Sequence, residues 1–405
     1  MKKIITAILI LCILIFSSCN FDNLGNILSS YDNSYPIAVS SDKERNLLEN
    51  TSSDDFISRD ISPEIGRTNF LNLTQDQKSV YAIIHEEIQQ MNTDEIRVPD
   101  TITDNELQDA FNAYVDDYPE SFWLRRSFNI LTRNNKKYIQ LEYCCEDLDQ
   151  KNQNLDLFNS SLAEAKTLIN DMQSEYEAEL ILHDWLLSNC EYDNEAANLG
   201  YDSNESAYSA YGALVEGKAV CEGYARAMQL LLNNIGIETT LISGVAGEDK
   251  QPHMWNIVTI NGNKYHLDPT WDDIDEKQDV SHIYFNLSSD IISRTHDEFI
   301  WVDCYSMEEN FYKKNNLLFD NWDNNTSLTV KNIISDCAVN QTGKIEIAFS
   351  NKEAFDEAVD SLINENSIFD YIDYARNSNK ALHDEIEYIT IEQPLYVLEI
   401  ILKFN

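Results

Sequence analysis

Gly217-Lys218-Ala219-Val220-Cys221-Glu222-Gly223-Tyr224-Ala225 reads as a loop that becomes a helix with a thiol on its first turn. The first N–H groups of a helix have no partner within it, and their partial positive charge favours an anion. A free thiol ionises near pH ~8.5, and placement at a helix start lowers that value. Gly223 and Ala225 are small, so neighbouring groups can approach the sulfur. Glu222 works the other way, because a carboxylate beside a thiolate repels it. Alone, one cysteine in such a stretch reads as an inert buried residue. Its status depends on what the chain brings to it.

Two downstream stretches supply partners, His253-Met254-Trp255-Asn256 and Tyr265-His266-Leu267-Asp268-Pro269-Thr270-Trp271. They flank Asn261-Gly262, whose residues tolerate the positive φ angles of a type I′ hairpin turn. A two-residue loop pairs Ile260 with Asn263, which carries the register to Trp255 opposite Asp268 and His253 opposite Thr270. Side chains alternate along a strand, so these four share one face. His253 and Asp268 become diagonal neighbours, about 7–8 Å apart at the backbone, within reach of a hydrogen bond. Cys221, His253 and Asp268 then form a nucleophile, its base and the acid that orients the base. His266 lies on the same face and is the rival base. Its place toward the loop suits a packing or supporting role. His85, His183, His282, His296 and His383 have no comparable context.

Further from this region, Thr74-x-x-Gln77 and Thr103-x-x-Glu106 are capping boxes that open helices. Alternating runs at 122–131 and 138–143 surround the turn Arg133-Asn134-Asn135 and predict a hairpin. Residues 69–150 therefore read as a small α+β unit. Leu155 to Ile169 is helical, and Ser174-x-x-Glu177 opens the next helix, which ends near Asn189. The helix after Cys221 stops near Gly236, and Ile237 to Ile242 leans toward strand. Residues 301–405 read as a further α+β segment. There Lys344 to Phe349 is a strand, Ser350 caps a helix, and 386–391 and 395–404 are closing strands.

The 405 residues are too many for one ordinary core. A formal charge of -41, from 70 acidic and 29 basic residues, repels phosphate backbones and argues against nucleic-acid binding. Lys2 and Lys3, an apolar run from Ile4 to Phe16, and Ser17-Ser18-Cys19 form an export signal, residues 1–19. The ending resembles a bacterial lipoprotein signal. That implies cleavage before Cys19, lipid on its thiol, and a protein anchored to the bacterial cell membrane and facing outward. Residues 20–68, rich in Ser, Asn and Asp, read as a tether; about 45–50 flexible residues span roughly 35–40 Å. No close Cys or His pair has zinc-site spacing. Asp320-Asn321-Trp322-Asp323 lacks the Gly and closing Glu of a calcium loop. No metal and no cofactor is expected.

Taken together, Tyr208 to Leu214, Gly217 to Ala225, His253 to Asn256 and Tyr265 to Trp271 resemble the transglutaminase-like superfamily. His183-Asp184-Trp185-Leu186 and Tyr192-Asp193 resemble the element that precedes its core. The resemblance covers roughly 174–300 and implies a papain-like α+β core, placed at 151–300, flanked by smaller α+β domains. It implies Cys221 as nucleophile, His253 as base and Asp268 as orienting acid. Tyr208, Tyr211, Trp255 and His266 are candidates for oxyanion or supporting roles. The implied chemistry is acyl transfer from a protein or peptide amide through a thioester. An amine acceptor makes the chain a transglutaminase, and water makes it a peptidase. The alternative is a non-catalytic protein- or cell-wall-binding module that keeps the fold.

Overall fold

A computed structural model describes residues 4–7 and 67–404, apart from 171, 173, 274–279, 301 and 378. Cys19, and the expected signal and tether except for 4–7 and the tether's last two residues, lie outside the described residues. The chain divides into two compact units. Among the described residues the first comprises 67–281 with His296–Asp303, and the second 4–7, His282–Thr295 and 304–404. Ile4–Ala7 forms a short strand of the second unit, β1.

The first unit opens with helices Gln75–Glu87 (α1) and Asp104–Asp117 (α2). Both expected capping boxes form: Thr74 and Thr103 accept the N–H groups of Gln77 and Glu106, whose side chains accept the threonine N–H groups in return. Strands Ile96–Arg97 (β2), Leu124–Arg133 (β3) and Lys136–Tyr143 (β4) form a sheet of order β2-β4-β3. Asn134 and Asn135 take positive φ at its hairpin turn. Tyr81, Phe111, Tyr114, Trp123, Phe128 and Leu141 fill the core between helices and sheet.

The chain continues through helices Leu148–Leu168 (α3) and Glu175–Asn189 (α4), the latter capped by Ser174 as expected. Strand Glu191–Tyr192 (β5) pairs in parallel with Lys218–Ala219 (β6), which leads into helix Cys221–Asn233 (α5). Against that helix lie Thr239–Ala246 (β7) and Gln251–Ile260 (β8). With Asn263–Leu267 (β9) and His296–Glu298 (β10), they make an antiparallel sheet of order β10-β7-β8-β9. A one-turn helix, Pro269–Asp272 (α6), follows β9.

In the second unit, Leu318–Phe319 (β11), Lys344–Phe349 (β12), Leu382–Ile391 (β13) and Tyr396–Phe404 (β14) extend β1 into a sheet of order β1-β13-β14-β12-β11. The helices Asn324–Asn340 (α7), Lys352–Val359 (α8) and Ile368–Ala375 (α9) share its core through Val330, Ile334, Phe355 and Ile372. Asn351, one residue after the expected Ser350, caps α8 by accepting the Ala354 N–H. Among the described residues no disulfide forms. No described helix is long and apolar enough to cross a membrane.

Glu222 departs from its expected effect on the thiol. Adjacent residues of a helix do not face each other, and Glu222 is held by two guanidinium groups instead. It pairs with Arg126 from β3 and, at 2.8 Å, with Arg226 one turn along α5. Arg226 also donates to the Val115 carbonyl and to Asp116. Burial works against the Glu222 charge, but the two arginines outweigh it and hold its carboxyl below the usual range. Removing one member of a buried pair typically costs about 3–5 kcal/mol. E222L should therefore lose stability of about that size in urea unfolding; a loss within the small range of surface substitutions would contradict this role.

Candidate active site

Cys221 begins α5, and its surroundings are built to tight tolerance. Val220 precedes it in extended conformation (φ -93, ψ 176) and donates its N–H to the Ala207 carbonyl at 3.0 Å. At Gly223 a Cβ would lie 2.5 Å from the Ala207 oxygen and 2.7 Å from the Ala219 Cβ. Only glycine lets the helix start approach this closely. Asn256 on β8 donates to the Ala225 carbonyl at 2.9 Å, tying the thiol's helix to the strand that carries the imidazole.

The hairpin has the expected register. Ile260 pairs with Asn263, and Asn261 and Gly262 take φ of 50 and 78. The ladder stops at Asn256 opposite Leu267, one pair short of Asp268. Asp268 leaves the strand and caps α6, with Pro269 at the first helical position. Its Oδ1 accepts the N–H groups of Thr270 at 3.0 Å and Trp271 at 3.3 Å. Its Oδ2 lies 2.8 Å from His253 Nε2. Cys221 lies near enough to the His253 ring to help raise it. The imidazole and the carboxylate thus lie in one hydrogen-bonded row, and Cys221, His253 and Asp268 are all buried.

A further imidazole joins the row. His296 Nε2 lies 3.0 Å from the same Asp268 Oδ2. Sequence reasoning gave His296 no role, and the reason is physical. It sits on a three-residue strand that reaches the site only by pairing with β7, His296 opposite Ala246. Neither its own strand nor its spacing from Cys221 carries a pattern. A weak signal lay in Gly244, where a Cβ would meet the Asp297 carbonyl oxygen at 2.1 Å.

The other candidates have separate contacts. Trp255 donates from Nε1 to His266 Nδ1 at 3.1 Å, and its ring stacks 5.8 Å from that of His253. His266 Nε2 lies 3.3 Å from Glu298 Oε1. The Tyr208 hydroxyl donates to the Ala196 carbonyl at 3.0 Å. Tyr211 packs on Phe122 at 4.6 Å and Phe158 at 6.2 Å.

Electrostatics separates the three imidazoles. Burial disfavours a charged His253, but the Asp268 carboxylate and then Cys221 outweigh it and raise the ring to about 10. Burial also opposes the Asp268 charge, yet His253 and His296 hold its carboxyl well below the usual range. Burial lowers His296 and takes His266 down to about 3. His253 is therefore the imidazole that holds a proton at neutral pH, and the other two are neutral. His253, Asp268 and His296 offer ligand-type atoms within 4.8 Å of one another. The two His–Asp contacts already pair those atoms, so the set is accounted for as a hydrogen-bonded row.

Stability follows from these shifts. His253 contributes fully below its ordinary value of 6.5, and the contribution is lost as pH rises through about 10. Asp268 contributes above 3.8, and the contribution is lost as pH falls through its lowered value. D268N should flatten the decline in urea midpoint between pH 6.5 and about 10 relative to the parent chain; equal slopes would contradict the pairing.

Comparison with known proteins bears on residues around this row. Residues 163–269 match the family model described as the transglutaminase-like superfamily. Comparison with curated proteins gave no match. A solved structure described as a TGase is 14% identical, with 42% of this chain and 50% of that chain covered and a TM-score of 0.28. The chain thus spans half the length of that structure. One described as "a Putative Cysteine Protease" from Cytophaga hutchinsonii is 16% identical, with 36% and 61% covered and a TM-score of 0.24. The likeness to the transglutaminase-like superfamily rests on the sequence match over 163–269, a segment that contains Cys221, His253 and Asp268.

Proposed function

We propose that this chain is a cysteine acyltransferase or peptidase acting on protein or peptide amides, with Cys221 as nucleophile, His253 as acid and base, and Asp268 as the group that orients it. The observation carrying this reading is that His253 Nε2 lies 2.8 Å from Asp268 Oδ2, with Cys221 near enough to the same ring to raise it. An ionised carboxylate only accepts hydrogen bonds, so His253 keeps a proton on Nε2 and has Nδ1 left for proton exchange with the thiol and the leaving amine. Raised to about 10, the ring is an imidazolium at neutral pH and carries the proton that the leaving amine needs.

In the proposed cycle the Cys221 proton has already passed to His253, so the starting pair is a thiolate beside an imidazolium. The sulfur attacks the amide carbonyl and forms a C–S bond. Backbone N–H groups at the start of α5, the helix that Cys221 opens, suit the developing oxyanion. As the C–N bond breaks, His253 returns the proton to the leaving amine, and a thioester remains. An amine or water, deprotonated by His253, then attacks the thioester and restores the thiol. An amine acceptor yields an isopeptide bond; water yields a cut or deamidated product. Export and a lipid on Cys19 would place this chemistry on the outer side of a bacterial membrane, with support from the residues around Cys19. Cleavage there would also remove β1 from its parallel pairing with β13.

A thiol-reactive amide-mimic probe should label Cys221 ahead of the other cysteines at neutral pH. H253A should slow that labelling by about a hundredfold or more, the usual scale of a general base. Labelling of Cys221 no faster than of Cys144, or unchanged by H253A, would overturn the enzymatic reading. Incubation with bacterial envelope extract, followed by mass spectrometry for new isopeptide bonds or new chain termini, then assigns the acceptor.

A further inference from the structure

We infer that His296 is a positioning residue of this site, competing with His253 for one carboxylate oxygen and so setting how tightly Asp268 holds the His253 proton. The inference rests on the acyl-transfer reading above only for its catalytic meaning; the competition itself is a matter of hydrogen bonding.

Each oxygen of an ionised carboxylate has two lone-pair sites and no proton to donate. Asp268 Oδ1 is filled by the N–H groups of Thr270 and Trp271. Oδ2 is filled by His253 at 2.8 Å and His296 at 3.0 Å. Both imidazoles must therefore donate from Nε2. His296, a neutral donor, spreads the carboxylate charge that would otherwise serve His253 alone. It makes Asp268 a weaker base and the His253 imidazolium easier to discharge, which suits a group that must give its proton to a leaving amine.

The ring is held for that purpose. It packs 4.6 Å from Trp271 and 4.9 Å from Trp255, centroid to centroid. Its strand can approach β7 only because residue 244 has no side chain. The ionisable groups that bear on His253 are Asp268, Cys221 and His296; those on His296 are Asp268, His253, Asp297 and His266. Of these, only Asp268 contacts both rings through a single atom.

The test is titration of the full chain labelled with 15N-histidine, comparing the parent with H296F, H296M and H296Q. Phe and Met keep bulk between the tryptophans but have no donor; Gln restores an N–H near the Nε2 position. His253 should titrate about one pKa unit higher in H296F or H296M, a tenfold shift, and near the parent value in H296Q. Whichever apolar variant stays folded by circular dichroism supplies the comparison. No shift in the apolar variants, or an equal shift in H296Q, would overturn the inference. Alkylation of Cys221 measured on the same samples separates the two readings. If the parent thiol is unreactive while His253 still shifts, the acyl-transfer reading fails and the competition stands.

Discussion

The Asp268 carboxylate is the constraint on which the site depends. A charge in a fully buried position is tolerated only when it is paired and hydrogen-bonded. Here two backbone N–H groups and two imidazoles provide that, and each comes from a different structural decision. The backbone donors require the chain to leave β9 and start α6 at Pro269. The first imidazole requires β8 in its observed register. The second requires β10 to close on β7. Failure of any one would leave the carboxylate short of a partner, so the same atom that orients His253 also reports whether the local fold is complete.

The thiol is delivered by an independent set of close approaches. Gly223 lets α5 start against Ala207 and Ala219, and Asn256 fastens that helix to β8. From the far side, Arg226 and Arg126 grip Glu222 and link α5 to α2 and β3. The acidic neighbour of Cys221 is thereby turned into a fastening, and its charge is spent on guanidinium groups instead of on the sulfur. Below α6, His183 sits 3.4 Å from Asp272 and 3.0 Å from Asp184, and these carboxylates raise it to about 9 against the opposing effect of burial. This second buried pair braces the short helix whose cap is Asp268.

Much of this was legible because it is written locally. Asn261-Gly262 announces its own turn, so the register from Ile260 to Asn263 followed from two residues. Thr74, Thr103 and Ser174 announce helix starts through side chains three residues away. The Cys, His and Asp stretches stand out as a set in the sequence. The rest depended on non-local events. His296 reaches Asp268 through sheet pairing between segments some fifty residues apart along the chain. Asp268 was expected within the ladder, opposite Trp255; its capping role was hidden because Pro269 and Thr270 fit either an extended end or a helix start. The direction of Glu222 depended on arginines about one turn and nearly a hundred residues away. The side chains of Tyr208 and Tyr211 answer to Ala196 and to Phe122 and Phe158, contacts with no motif.

The central claim is that Cys221 forms a thioester with the help of the His253–Asp268 pair. The most direct measurement is acid-quenched mass spectrometry of the peptide bearing Cys221 after brief exposure to an amide-rich protein mixture. The account predicts an acyl adduct on that sulfur, removed by hydroxylamine and missing in D268A. Adducts spread equally over the other cysteines, or a Cys221 peptide that stays unmodified while amide products accumulate, would contradict it.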